Sequence, residues 1–197
     1  MLQVLTAVKK EPVKRQTKGL FRTKEEVILP PKSYTDEIVE IIRHTCRFDW
    51  MMIERVEIGD NVLDYVLVGP KGVFLVQINR TTMAVHMTNR ECRLETSLGW
   101  KNIYPHPVEG LEQMTKQVRS LLKKECGQAV PVTSFLIFPE ASRLKVERVK
   151  ANCADSFEVI DKVIAKTKLE LLSEAKIKQI AYYCSERQLH TYEQESP

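Results

Sequence analysis

Asp64, Gln77 and Asn79 are the residues whose types and spacing suggest chemistry. All three lie in one stretch, Leu63–Arg80, that is otherwise largely apolar and reads LDYVLVGPKGVFLVQINR. Together they would set one carboxylate beside two side-chain amides. Whether the three can act together depends on strand register. Gly69-Pro70-Lys71-Gly72 is dense in turn residues and is flanked by the apolar runs Tyr65–Val68 and Val73–Val76. With those four as the turn, Val68 faces Val73 and Asp64 faces Gln77. Opposed residues of an antiparallel pair share a face, with Cβ atoms about 5 Å apart. Asn79, two residues beyond Gln77, lies on the same face. The spacing predicts a polar cluster at the open end of an apolar hairpin. A plainer reading has the strand emerging into solvent, with Asp64 hydrogen-bonding across to the amides.

The elements around the hairpin follow from periodicity. A helix is predicted from Ser33 or Thr35, either of which can cap it, with Ile38, Ile41, Ile42 and Thr45 on one face. Asp36 and Glu37 suit its first turn. Phe48–Ile58 is predicted as a strand in which Met52, Glu54, Val56 and Ile58 alternate against Ile53, Arg55 and Glu57, and Gly59-Asp60-Asn61 turns it into the hairpin. Thr82–Val85 and Cys92–Glu95 continue the sheet as a meander. Pro107 suits the first position of a helix that buries Leu111, Met114, Val118, Leu121 and Leu122, with His106 as a cap, a surface residue or a ligand contact. Val132–Phe138 is an unbroken apolar strand, covered on both faces. Val146–Ala151 and Phe157–Ile160 are weaker strand candidates. Asp161 is read as capping a helix to about Leu172, and Ser173 as capping a last one with Ile177, Ile180, Ala181 and Cys184 inward.

Composition narrows the class. The chain has 197 residues, 43% hydrophobic and 28% charged, as in an ordinary globular protein. No apolar run approaches the roughly 20 residues that cross a bilayer, and a cytoplasmic location is expected. The five cysteines are odd in number and lack Cys-x-x-Cys spacing, so reduced, mostly buried thiols are expected. Residues 1–24 hold seven Lys or Arg against the single acid Glu11, so they carry +6 and the remainder −2 of the net +4. An arm with that charge, including Lys9, Lys10, Lys14, Arg15, Lys18 and Arg22, can bind DNA or other nucleic acid by releasing phosphate counterions. It can equally be a solvated linker, or pack on a protein partner or a second copy of the chain.

The Asp, the G-P-x-G turn and the apolar strand resemble the centre of the NERD family, the nuclease-related domain, a branch of the PD-(D/E)xK nuclease-like fold. The resemblance implies a mixed central β-sheet flanked by helices, an α/β arrangement like that of restriction endonucleases. It covers about residues 34–188, after an arm over 1–33 and before a polar tail over 189–197. It also implies that Asp64 corresponds to a metal-site aspartate and that Glu37 corresponds to a first-helix glutamate pointing at that site. His106-Pro107 stands where the family carries Asn-Pro. Where the family has Glu-x-Lys, this chain has Gln77-Ile78-Asn79. Gln keeps an oxygen but removes a full negative charge, and Asn removes the cation. The resemblance therefore implies a degenerate catalytic site of Asp64, Gln77, Asn79 and Glu37, with weak or no metal binding at Asp64. No cofactor is expected, and Mg²⁺ only if the variant site is active.

Three functions stay open. One is an impaired nuclease-like protein that binds nucleic acid or serves structurally in DNA handling. Another is an active metal-dependent nuclease using Asp64, Glu37, Gln77 and a lysine such as Lys71 or Lys101. The third is a protein-interaction or oligomerisation module.

Overall fold

The computed structural model describes residues 2–5, 32–46 and 49–188, with the backbone alone of 13–18 and 23–28. Its strands are β1 (Gln3–Leu5), β2 (Val13–Lys18), β3 (Thr23–Ile28), β4 (Met51–Ile58), β5 (Asn61–Gly69), β6 (Gly72–Ile78), β7 (Val85–Thr88), β8 (Cys92–Thr96), β9 (Gly99–Asn102), β10 (Val132–Ile137), β11 (Leu144–Glu147) and β12 (Asn152–Ala154). Its helices are α1 (Thr35–Ile42), α2 (Pro107–Cys126), α3 (Glu158–Lys166) and α4 (Glu174–Ser185). No helix among the described residues is long and apolar enough to cross a membrane.

The hairpin lies at the centre. β5 and β6 pair antiparallel with Val68 opposite Val73 and Tyr65 opposite Val76, the register expected from the turn. They stand inside a six-stranded sheet of order β1-β4-β5-β6-β10-β12. β4, β5 and β6 are antiparallel, whereas β1 joins β4 and β10 joins both β6 and β12 in parallel. β10 ends at Ile137, and its position between neighbours with helices on both faces explains the buried apolar run Phe135–Ile137, while Thr133 and Ser134 nearer its start are only partly buried.

Each face of the sheet carries its own core. On one side α1 and α3 bury Ile38, Ile42, Ile160 and Ile164 against Leu67, Phe74, Val76 and Phe135. On the other, α2 and α4 bury Leu111, Met114, Val118, Leu122, Ile177 and Ile180 against Ile53, Val66, Leu75 and Leu136. Each such side chain contributes about 1.5–3 kcal/mol when fully buried. α2 starts as expected: His106 caps it, its Nδ1 accepting from the Val108 N–H at 3.2 Å. The opposite ring nitrogen lies 3.1 Å from the Thr88 carbonyl and therefore carries the proton that it donates there. Ser173 caps α4, and Ile177, Ile180, Ala181 and Cys184 are buried as expected.

The cysteines are unpaired thiols, four of them buried and Cys153 partly so. Burial pushes Cys46, Cys153 and Cys184 up to about 12.

Several elements differ from expectation. β4 does not alternate throughout: Met52 packs in the α1/α3 core, but Val56 and Ile58 pack in the α2/α4 core with Ile53. The change falls at Arg55, which has φ 53° and drops out of the ladder, as does Asp64 opposite it. The three strands that directly follow β6, namely β7, β8 and β9, do not extend the central sheet. β7 starts at Val85 rather than Thr82 and belongs to a second sheet of order β11-β7-β8-β9. Phe157–Ile160 is not a strand, because Ile160 and Ile164 are buried one helical turn apart in α3. That helix starts at Glu158, places Asp161 within its first turns and ends at Lys166. α1 begins at Thr35 with Tyr34 at the cap position and no side-chain cap bond; the Ser33 hydroxyl instead accepts from the Thr35 N–H at 3.3 Å.

Parts of the first 33 residues are described. Leu2 is buried, Gln3–Leu5 form an edge strand, and β2 and β3 pair as an antiparallel hairpin. Lys9, Lys10 and Arg22 lie outside the described residues, as does the tail from Leu189; Lys14, Arg15 and Lys18 are described only in backbone.

Candidate functional site

Asp64 lies at the one position, opposite Arg55, where the ladder between β5 and β4 is interrupted before it resumes at Leu63 and Val56. Its carboxylate is therefore free of the ladder's geometry and turns toward β6. Oδ2 accepts from Gln77 Nε2 at 3.0 Å and from the Ile78 N–H at 2.7 Å. Oδ1 accepts from Arg80 Nη2 at 2.8 Å, an ion pair in which Asp64 is 14% and Arg80 32% exposed. Three donors, one of them a cation, thus hold one carboxylate. Charge-assisted bonds of this kind are roughly twice as strong as neutral ones.

Beyond Arg80 the polar groups continue in alternating charge. The Arg80 guanidinium carbon is 6.0 Å from the centroid of the Tyr34 ring. The Tyr34 hydroxyl donates to Glu140 Oε1 at 2.6 Å, and Lys32 Nζ lies 3.5 Å from the same oxygen. Burial raises the Tyr34 phenol well above its ordinary range, and the Glu140 bond raises it further, so it stays a donor. That same bond, assisted by Lys32 and Arg80, holds the Glu140 carboxyl below the usual carboxylate range. Tyr34 is itself fixed: its N–H donates to the Tyr65 hydroxyl at 2.8 Å, and its ring packs 5.3 Å from Phe157.

The expected site residues are only partly gathered. Gln77 meets Asp64. Asn79 does not; its Oδ1 accepts from the Thr81 N–H at 3.1 Å and closes a turn, while its own N–H donates to Ile137 O at 2.8 Å. Glu37 is exposed in the first turn of α1, and its charge reaches Tyr34. No hydrogen bond or ion pair joins it to Asp64 among the described residues. Lys71 sits at the opposite end of the hairpin, donating to Ile164 O at 2.9 Å, and Lys101 is exposed in β9. Arg80, Tyr34, Glu140 and Lys32 were not anticipated. Arg80 gave one local hint, a cation directly after an apolar strand. The Tyr34–Glu140 bond spans 106 positions of sequence and gives none.

Mg²⁺ takes near-octahedral oxygens at about 2.0–2.1 Å, usually one or two carboxylates plus waters. The residues present do not fit that ion. Both oxygens of Asp64 already accept hydrogen bonds, and a cation at the acceptor position left on Oδ1 would meet the Arg80 charge. No group of three His, Cys, Asp or Glu converges among the described residues. One atom remains available: Gln77 Oε1 is buried without a partner, as is Arg80 Nε.

No curated protein and no solved structure matched the chain. A family model, the nuclease-related domain NERD, matches residues 35–139, which run from the start of α1 through the hairpin and α2 to the end of β10. That is more than half of the sequence, and the chain belongs to the nuclease-related domain family.

Proposed function

We propose that this is a catalytically impaired member of its family, acting through nucleic-acid binding or as a structural component in DNA handling. One observation carries the reading: the Asp64 carboxylate is committed to Arg80, Gln77 and the Ile78 N–H. Metal-assisted phosphodiester cleavage needs an ion on free carboxylate oxygens, placed to activate water and neutralise developing charge. An arginine on that carboxylate replaces the ion's charge with a fixed one that cannot exchange waters.

The test is cleavage of plasmid and RNA with Mg²⁺ or Mn²⁺. The wild type is expected to leave both intact. Gln77→Glu/Asn79→Lys is expected to gain little while Arg80 remains, and to gain metal-dependent nicking when Arg80→Ala is added. Robust metal-dependent cutting by the wild type would overturn the proposal. It would favour the active-nuclease reading, for which the unpartnered Gln77 Oε1 is the supporting feature.

The basic segment is the proposed nucleic-acid contact. Deleting residues 1–24 is a poor test, because it also removes β1 and exposes the main sheet's edge. Changing Lys9, Lys10, Lys14, Arg15, Lys18 and Arg22 to Gln leaves β1 in place. If all six meet phosphates, the slope of log K against log salt on duplex DNA should flatten by about 5. An unchanged slope would remove the segment from the account.

A further inference from the structure

α2 does not present only apolar side chains to the sheet. Glu112, Thr115, Lys116 and Arg119 recur at helical spacing along one of its faces and form one wall of a cleft. The other wall is Val132, Thr133 and Ser134 at the start of β10, with Lys150, Ala151 and Asn152 leading into β12. The cleft holds about 310 Å³, room for roughly ten waters at about 30 Å³ each. A helix–sheet junction serving packing alone would be closed by aliphatic side chains. This one is polar on both walls.

Its charges are one-sided, with Lys116, Arg119 and Lys150 against Glu112 alone. Arg119 is anchored, one Nη donating to the Val132 carbonyl at 2.7 Å, which leaves most of its donors for other partners. Asn152 is similarly held, donating to Ser134 O at 3.1 Å. Thr115 is buried and donates to Leu111 O. Lys116, Lys150 and the hydroxyls of Thr133 and Ser134 make no side-chain hydrogen bond or ion pair among the described residues. Fixed guanidinium, mobile ammonium groups and free hydroxyls together suit an oxyanion with several oxygens. No aromatic ring lines the cleft, so it offers nothing on which a base could stack.

From this we propose that the cleft between α2 and the β10/β12 flank binds phosphate groups, recognising the phosphoryl part of its ligand rather than a base. This site is separate from Asp64 and does not depend on whether the protein cleaves anything. The ligand's phosphates can come from a small phosphorylated molecule or from a nucleic-acid strand.

Calorimetric titration of the full chain with inorganic pyrophosphate at low salt tests it. Saturable one-site binding is expected. Lys116→Gln/Lys150→Gln should weaken it at least about tenfold. Lys123→Gln/Lys124→Gln removes the same charge from the last turn of α2, outside the cleft, and should weaken it less than about twofold. Absence of saturable binding, or equal weakening by both pairs, overturns the proposal. Repeating the titration with a short single-stranded oligonucleotide present identifies the source. Competition that the Lys116/Lys150 variant abolishes supports the cleft as a strand-phosphate site, and absence of competition supports it as a small-molecule site.

Discussion

Asp64→Ala is expected to lower the thermal midpoint by roughly 6–12 °C, from a loss of about 3 kcal/mol spread over a chain of this size. The substitution leaves the Arg80 guanidinium, the Gln77 amide and the Ile78 N–H without their acceptor in a partly buried place. Sign matters more than size. A carboxylate kept for a metal, with no cation beside it, usually costs stability, so removing it leaves the midpoint unchanged or raises it. A carboxylate that anchors a strand end loses stability when removed. Differential scanning calorimetry without metal reads the difference. An Asp64/Arg80 double-mutant cycle should give a coupling of about 1–3 kcal/mol, and a coupling near zero would mean that the pair does not hold the site.

Gly69→Ala and Gly72→Ala are expected to cost at least about 3 kcal/mol each, by overpacking at the first and by backbone strain with overpacking at the second. A Cβ on Gly69 would run into the Trp50 ring, which is buried 5.5 Å from Phe74. At Gly72 φ is +128°, and a Cβ would stand 2.7 Å from the Pro131 carbonyl oxygen, a backbone atom that cannot rotate away. The turn motif is thus constrained at both glycines, by an aromatic ring and by the chain entering β10. Gly110→Ala, at an open position in α2, is the control and should stabilise by about 0.4–1 kcal/mol. Urea midpoints and Trp50 fluorescence measure all three. A wild-type midpoint for Gly69→Ala would mean that Trp50 does not pack on the turn.

What the sequence made legible was local. The hairpin register follows from four turn residues, and a single register places Asp64 against Gln77. The starts of α2 and α4 follow from His106-Pro107 and Ser173, whose capping acts within one turn. The rest depended on contacts that spacing does not encode. Nothing near Arg55 signals that β4 changes faces there, yet that change frees Asp64 from the ladder. β7 pairs with β11 in parallel across a long connection, so the second sheet looked like a continued meander. Phe157–Ile160 is too short for its period to separate strand from helix without knowledge of what Ile160 and Ile164 bury against. The surroundings of Asp64 were hidden for the same reason. The family's lysine position holds Asn79, and the cation that stands against Asp64 is Arg80, one residue on. Asn79 was expected in the cluster and instead closes the turn that follows.

Mn²⁺ titration followed by NMR broadening of the Ile78 amide most directly tests whether Asp64 is an ion-pair partner rather than a metal ligand. The Ile78 N–H is bonded to the carboxylate itself, so any ion on Asp64 would be within range. The account predicts no saturable broadening at millimolar Mn²⁺, and no difference between wild type and Asp64→Asn beyond the chemical-shift change of the lost charge. Saturable broadening in the wild type that Asp64→Asn abolishes would contradict it.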